Sequence, residues 1–144
     1  MANQKISARD AATAIDGTEV VGVIKGGVDK KTTVAELQPF TALVGYLNQS
    51  GTSAPVLTIL SNTTGGAPTL AYSSAGTYTL TLTGKFIAGK TFILPKRQVM
   101  ATDIECIFTR QTADTLLIQT FTTSTATLGN SLLSDTPIEI RIYK

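Results

Sequence analysis

The stretch GTYTLTLTG, residues 76–84, decides the fold class, because its residue types alternate with a strict period of two. Tyr78, Leu80 and Leu82 fall on one side of an extended chain, and the threonines between them fall on the other. This alternation predicts a β-strand that buries one face and exposes the other. Segments of the same character recur further along and on either side: PVLTIL, KTFIL, DIECIFTRQ, TLLIQTFTT and PIEIRIYK.

Turn-forming residues separate these segments at intervals of roughly 8–12 residues, which is typical of antiparallel sandwiches and jelly rolls. Residues 55–144 are therefore predicted to form a C-terminal antiparallel β-sandwich. The preceding NQSGTSAP, residues 48–55, has the composition of a short linker.

Residues 1–48 have a different pattern, which predicts a hairpin followed by a helix. The β-rich run 19–24 and the segment 28–33 flank Gly26-Gly27, and paired glycines supply the positive φ values of a tight hairpin turn. The stretch VAELQPFTALVGYLNQ that follows has a helical composition, and its start has the spacing of a capping box. The predicted fold is mainly β: a jelly-roll-like antiparallel β-sandwich preceded by a small N-terminal hairpin-plus-helix module.

Charged residues are distributed unevenly along the chain. Residues 1–40 carry five cations and five anions, Thr41–Gly84 carries none, and charge returns from Lys85 onward. A soluble monomer usually needs charges interspersed over its surface. The neutral stretch therefore predicts a surface that meets another copy or another protein, and a weakly charged but solvated β surface is the alternative.

The composition excludes several kinds of chemistry. There is no His, which removes a histidine base, a histidine metal ligand and a Ser-His-Asp site. Cys106 is the only Cys, so no intrachain disulfide or Cys-based zinc site can form, and the chain suits a reducing cytoplasm. A net charge of +2 offers no broad basic surface for nucleic acid. The polar start predicts no secretory signal, and no apolar run approaches the roughly 20 residues that span a bilayer.

One stretch, GKFIAGKT at residues 84–91, matches the phosphate-binding pattern G-x-x-x-x-G-K-[ST]. A phosphate loop must lead from a strand into a helix whose N-terminus faces the phosphates. Here Thr91 is followed by FILPKRQVM, which does not form a helix. We interpret the match as a hairpin connection between Leu82 and Phe92, with Gly84 and Gly89 as turn residues, and we expect no enzymatic activity and no cofactor.

Two other candidates for chemistry lie on the later strands. Asp103, Glu105 and Asp114 would suit acid–base work or calcium if they converged across a hairpin. An ordinary polar face, paired with Arg110 or Lys96, is the favoured interpretation, so no metal site is predicted. Cys106 alternates with Ile104 and Phe108, which predicts a small core residue and not a reactive thiol.

The N-terminal segment KISARDAATAIDGTEVVGVIKGGVDKKTTVAEL, residues 5–37, resembles the N-terminal module of many tailed-phage virion proteins. The chain has Arg9-Asp10 where that family often has Leu-Pro. The end of the chain, TPIEIRIYK, is similar in style to the heads of small trimeric phage fibres and decoration proteins. The N-terminal matches are Lys5-Ile6-Ser7, Ala11-Ala12-Thr13, Gly17-Thr18-Glu19, Gly26-Gly27 and Lys30-Lys31-Thr32-Thr33.

In that family the module resembles an adaptor that attaches a fibre to the particle. The resemblance implies a non-enzymatic virion protein, a trimeric fibre or decoration protein made in the bacterial host cytoplasm and bound through its N-terminus to a capsid or tail protein. Two alternatives are a tail adhesin that binds a host receptor or glycan, and an assembly chaperone that is absent from particles. The expected attachment residues form a docking edge at the hairpin turn: Ile24, Gly26, Gly27, Val28, Lys30 and Lys31. The alternative is that this hairpin packs on the chain's own sandwich.

Overall fold

The computed structural model describes residues 20–25, 28–33, 38–94, 97–101 and 103–144. These residues form antiparallel sheets and contain no helix. The predicted helix start at 34–37 lies outside the described residues. The strands are β1 Val20–Lys25, β2 Val28–Thr33, β3 Phe40–Asn48, β4 Val56–Asn62, β5 Thr69–Ser74, β6 Thr77–Thr81, β7 Thr91–Leu94, β8 Arg97–Ala101, β9 Ile104–Arg110, β10 Thr115–Thr122, β11 Thr127–Leu128 and β12 Thr136–Tyr143.

The chain divides into two units, Met1–Pro39 and Phe40–Lys144. In the first unit β1 and β2 form an antiparallel pair, and the pairing of Lys25 with Val28 leaves two residues to connect them. This register confirms the predicted hairpin. The predicted domain bounds, 1–48 and 55–144, differ from this division by β3 and the loop that follows it.

The second unit contains a four-stranded sheet in the order β4-β3-β12-β7. Strand β3 corrects the expectation of a helix over 34–49, because residues 40–48 are extended and pair with a strand on each side. Alternate residues such as Leu43 and Leu47 are fully buried on one face of this strand. Pairing on both edges and burial between neighbours outweigh a helical composition, which is a weak local preference.

A larger sheet has the order β5-β6-β10-β9-β8, and β11 pairs with β10 in addition to this path. The predicted strand at residues 77–81 is an interior strand of this sheet, which pairs with β5 on one side and with β10 on the other. Tyr78, Leu80 and Leu82 are buried, as their alternation predicts.

Both sheets of the second unit contribute to one hydrophobic cluster. The four-stranded sheet supplies buried side chains from β3 and β12, the larger sheet supplies them from β6, β9 and β10, and Leu82, Phe86 and Leu133 come from connections. The predicted face of β12 is confirmed, since its isoleucines are buried. The cluster consists of Leu43, Leu47, Tyr78, Leu80, Leu82, Phe86, Cys106, Phe108, Leu116, Ile118, Leu133, Ile138, Ile140 and Ile142.

Candidate interaction surfaces

The predicted attachment residues lie at the closed end of the β1–β2 hairpin. Ile24 pairs with Asp29, and Val28 pairs with Lys25. Lys30 and Lys31 follow Asp29 along β2, where Lys30 pairs with Val23 and Lys31 pairs with Gly22. Gly26 and Gly27 lie outside the described residues. The backbone register thus brings the four described positions into one short ladder, and their role as a docking edge stays a prediction.

Residues 84–91, which match the phosphate-loop pattern, connect a strand of one sheet to a strand of the other. Gly84 and Gly89 have positive φ values of 67° and 75°, which confirms them as turn residues. The connection is not the predicted hairpin, because β6 belongs to the larger sheet and β7 to the four-stranded sheet. Both strands find partners far along the chain, and local sequence does not specify such partners.

Hydrogen bonds within the protein occupy the groups that a phosphate loop would aim at an anion. Of the eight backbone N–H groups in residues 84–91, six donate to acceptors of the protein itself. Phe86, for example, donates to the carbonyl oxygen of Ala113 at 2.8 Å, and its side chain is fully buried. The Thr91 hydroxyl donates to the carbonyl oxygen of Ile87. The following segment is strand β7, so the helix that a phosphate loop requires is absent from this place.

The three carboxylates that were candidates for a shared site lie apart. Asp103 precedes β9 and Asp114 precedes β10, so they occupy opposite ends of the β9–β10 hairpin, a separation of roughly 23 Å at 3.3 Å per residue. The alternative in which the three carboxylates converge on one site is therefore wrong. Among the described residues, no group of three or more metal-ligating side chains lies close enough to hold an ion.

Asp103 and Asp114 each accept hydrogen bonds from a neighbouring turn. Asp103 accepts hydrogen bonds from the hydroxyl of Thr123 at 2.7 Å and from the backbone N–H and hydroxyl of Ser124. These bonds, chiefly the one from the Ser124 hydroxyl, lower the pKa of Asp103. Asp114 accepts from the backbone N–H of Gly84. Their geometry is that of side chains that fix loops.

Cys106 lies in the hydrophobic cluster with none of its surface exposed, which confirms the predicted core position. Burial raises the pKa of its thiol from 9.0 to about 12. A neutral, enclosed thiol is a poor nucleophile and a poor metal ligand.

The outward face of the four-stranded sheet is defined by its register. Directly opposed residues of an antiparallel ladder share a face, and the buried isoleucines of β12 point to the core, so the residues between them point outward. Nine of the fourteen outward positions in the described ladder are apolar. We call this surface the outer face. Its apolar members are Phe40, Ala42, Val44, Tyr46, Val56, Phe92, Leu94, Pro137 and Tyr143.

Sequence reasoning missed this surface, although it noted the uncharged run from which two of the four strands come. Several members are largely exposed: Val56 at 65%, Phe92 at 53% and Tyr46 at 39%. Leu60, 60% exposed, sits at the β-bulge where β4 changes register against β3. Together with Tyr46 and Leu94 it lines a shallow cavity of about 300 Å³ on this face.

The charges on the outer face form an internal pair. Arg141 donates from Nε to the carboxylate of Glu139 two residues away on β12. The guanidinium carbon lies 4.9 Å from the ring centre of Phe40, a cation–π distance. Phe40 in turn packs against Tyr143 with ring centres 5.4 Å apart. The face is therefore apolar, with its one described ion pair neutralised in place.

A second, polar surface lies where the loop after β3 meets the loop before β12. Gln49 is buried there, its Oε1 accepts from the Tyr78 hydroxyl at 2.9 Å and from the Ser131 N–H, and its Nε2 donates to the carbonyl oxygens of Gly51 and Ser53. Every bond of this amide is used to join loops to the core. Beside it is an open cleft of about 430 Å³, lined mainly by serines and Asn48.

Comparison with family models, with curated proteins and with solved structures finds no match for this chain. Among the described residues, no helix is long and apolar enough to cross a membrane.

Proposed function

We propose that this chain is a non-enzymatic virion structural protein, a trimeric fibre or decoration protein bound to a phage particle through its N-terminal unit. The proposal joins the resemblance of residues 5–37 to tailed-phage modules with the nature of the second unit's surface. The partner is a capsid or tail protein, and the second unit faces outward from the particle.

One observation carries the self-association: of the four strands within the uncharged run, β3 and β4 are neighbours in the four-stranded sheet, and β4 lies at the edge of that sheet. Six of its seven residues are exposed, and none is charged. Natural edge strands are usually protected from pairing by charges, proline or a covering element. An exposed, neutral edge beside an apolar face supports a surface that is covered in the assembled protein.

The proposed architecture of the second unit is a β-sandwich of jelly-roll type. Two antiparallel sheets draw one hydrophobic cluster from one face of each, which supports a face-to-face arrangement. The chain passes between the sheets four times, from β4 to β5, from β6 to β7, from β7 to β8 and from β11 to β12. Repeated passage between sheets is typical of jelly rolls.

The test removes residues 1–39 and retains Phe40, because the second unit begins at Phe40 and this ring packs on Tyr143. Light scattering and incorporation into particles are measured for the truncated and full-length chains. We expect truncated trimers that no longer enter particles. Unimpaired incorporation without residues 1–39 would refute attachment through the N-terminus.

A matched pair of variants examines the attachment residues within the full chain. Replacing Lys30 and Lys31 with alanine is expected to slow incorporation and to increase its salt sensitivity, since such charges steer encounter more than they strengthen a contact. Replacing Lys85 and Lys90 in the second unit removes the same charge elsewhere and is expected to leave incorporation unchanged.

A second candidate function is an adhesin that binds a host receptor or glycan, and the cleft beside Gln49 is the observation in its favour. Hydroxyl and amide side chains from two loops converge there, including Ser50, Ser131 and Asn48. Such groups provide the hydrogen bonds that fix polar ligands. A glycan array or a cell-binding assay with the intact protein, compared with a Ser50→Leu variant, separates an adhesin from a purely structural protein.

A further inference from the structure

We infer that the outer face of the four-stranded sheet is the contact between copies of this chain, so that each copy turns this face towards its neighbours and the larger sheet towards solvent. The inference rests on the proposed function, in which the chain self-associates. It adds which surface forms the contact. Its occupants are further copies of this chain, whose outer faces meet around the three-fold axis of the proposed trimer.

The four-stranded sheet is apolar on both faces, whereas an antiparallel sheet with one solvated face normally carries polar residues there. Its inner face contributes leucines of β3 and isoleucines of β12 to the core. Its outer face carries nine apolar residues at fourteen positions. The inner face is covered within the unit, whereas several apolar side chains of the outer face are exposed among the residues that the structure describes.

Charge favours a second copy over a charged partner. Strands β3 and β4 contain no charged residue, and the described charges of the outward ladder, on Glu139 and Arg141, neutralise each other on β12. Two such faces meet without like-charge repulsion and without an unpaired buried charge. A strongly acidic or basic partner would find no complementary charge on this face.

The size of the exposed surface also fits an interface between copies. Five side chains, with exposures from 39% to 65%, leave roughly 500 Å² of apolar surface per copy, taking about 200 Å² for each side chain when fully exposed. A stable interface buries about 800 Å² per partner, and half-buried neighbours on the same face supply the remainder. The five are Tyr46, Val56, Leu60, Phe92 and Tyr143.

The outward face of the larger sheet is more polar. Its interior strand β6 presents threonines there, and β10 opposes them with Thr115, Leu117 and Gln119. Apolar residues at outward positions, such as Ile107 and Leu117, are partly buried among hydroxyl groups that water can solvate. The four-stranded sheet therefore has the more apolar outward face. This difference assigns the contact between copies to the four-stranded sheet.

The experiment places one charge on the outer face of the full-length protein and measures mass by light scattering over a range of concentrations. Leu60→Asp on β4 and Phe92→Asp on β7 are made singly and together. The matched control is Leu128→Asp, an apolar residue that is 39% exposed on β11 of the larger sheet. Thermal unfolding of each variant shows whether the monomer still folds.

We expect the wild type and Leu128→Asp to remain oligomers, and each outer-face variant to associate at least about 30-fold more weakly, as for a central residue of an interface. An oligomer that survives the double substitution overturns the inference and leaves the proposed function standing. A wild type that is monomeric at micromolar concentration overturns both. Variants that unfold while the wild type is monomeric would show that another part of the same chain covers the face.

Discussion

Alanine at Gly76 should destabilise the protein far more than alanine at a glycine of similar backbone conformation. Gly76 forms the turn between β5 and β6 with φ of 63°. Its N–H donates to the side chain of Asn130, and its carbonyl oxygen accepts from the N–H of Thr120. A Cβ built on Gly76 would lie 2.4 Å from the Thr120 carbonyl oxygen and 2.5 Å from the backbone nitrogen of Gly129.

The expected loss of unfolding free energy has two parts, and alanine variants of two other glycines measure each part separately. A positive φ costs a residue with a side chain about 1–2 kcal/mol, and Gly51, with φ of 58° and open space around it, isolates this part. Crowding against fixed backbone adds roughly 1–3 kcal/mol. Gly45 isolates that part, because its Cβ would lie 2.4 Å from the Thr58 carbonyl oxygen without a positive φ. Gly76→Ala carries both, about 2–5 kcal/mol in all.

Urea and thermal unfolding of the three alanine variants provide the measurement. At about 4 °C per kcal/mol for a unit of this size, Gly76→Ala should lower Tm by roughly 8–20 °C and Gly51→Ala by roughly 4–8 °C. Equal losses at Gly76 and Gly51 would show that the close approach of Thr120 and Gly129 to Gly76 does not exist. That result would refute the packing of the β5–β6 turn against β10 and the residue after β11.

Three further outcomes follow from buried and capped groups. Gln49→Ala should cost about 2–4 kcal/mol of unfolding free energy in urea, because its amide bonds to four groups. Tyr78→Phe should cost about 1 kcal/mol, because the Gln49 amide keeps its other three bonds. Asp103 has a lowered pKa, so its contribution is present above pH 3.8 and is lost on acidification through the lowered value; Asp103→Asn should flatten stability against pH in that range, and unchanged acid sensitivity would contradict it. Cys106 has a pKa of about 12, so stability should fall as pH rises from 9 to 12, and iodoacetamide at pH 8 should label the thiol only after unfolding; rapid labelling of the folded protein would count against the buried position.

Strands with one polar face were predictable from sequence. Tyr78, Leu80 and Leu82 alternate with threonines, and the isoleucines of β12 alternate with Glu139 and Arg141, so period two is visible in the letters. The β1–β2 hairpin was predictable from its central glycines for a different reason, since turn chemistry is local.

Strand β3 could not be predicted in the same way, because it is apolar on both faces. The same property underlies the proposed interface. Leu43 and Leu47 face the core, while Val44 and Tyr46 face outward, so apolar residues occupy both faces. A strand of this kind shows no alternation, and its Leu and Ala content favours a helix by composition. The outer face was hidden from sequence reasoning because it exists only after β3, β4, β7 and β12 pair.

Long-range pairing also decided the wrong hairpin prediction at residues 82–92 and the separation of the candidate carboxylates. The connection from Leu82 to Thr91 contains turn glycines, which local sequence indicates, but the sheets that it joins depend on partners in β10 and β12. Asp103 and Asp114 are eleven positions apart in sequence, and the length of β9 places them at opposite ends of a hairpin. Residue type alone does not distinguish a cluster from two separate loop caps.

The most direct test of the virion account is to count this chain in particles. Phage particles are purified by density gradient from the lysate in which the chain is made, washed in high salt, and analysed by quantitative mass spectrometry beside the particle-free fraction. The account predicts the chain in the particles at a fixed copy number divisible by three, as closed three-fold oligomers require. A chain abundant in the particle-free fraction and absent from washed particles would contradict it.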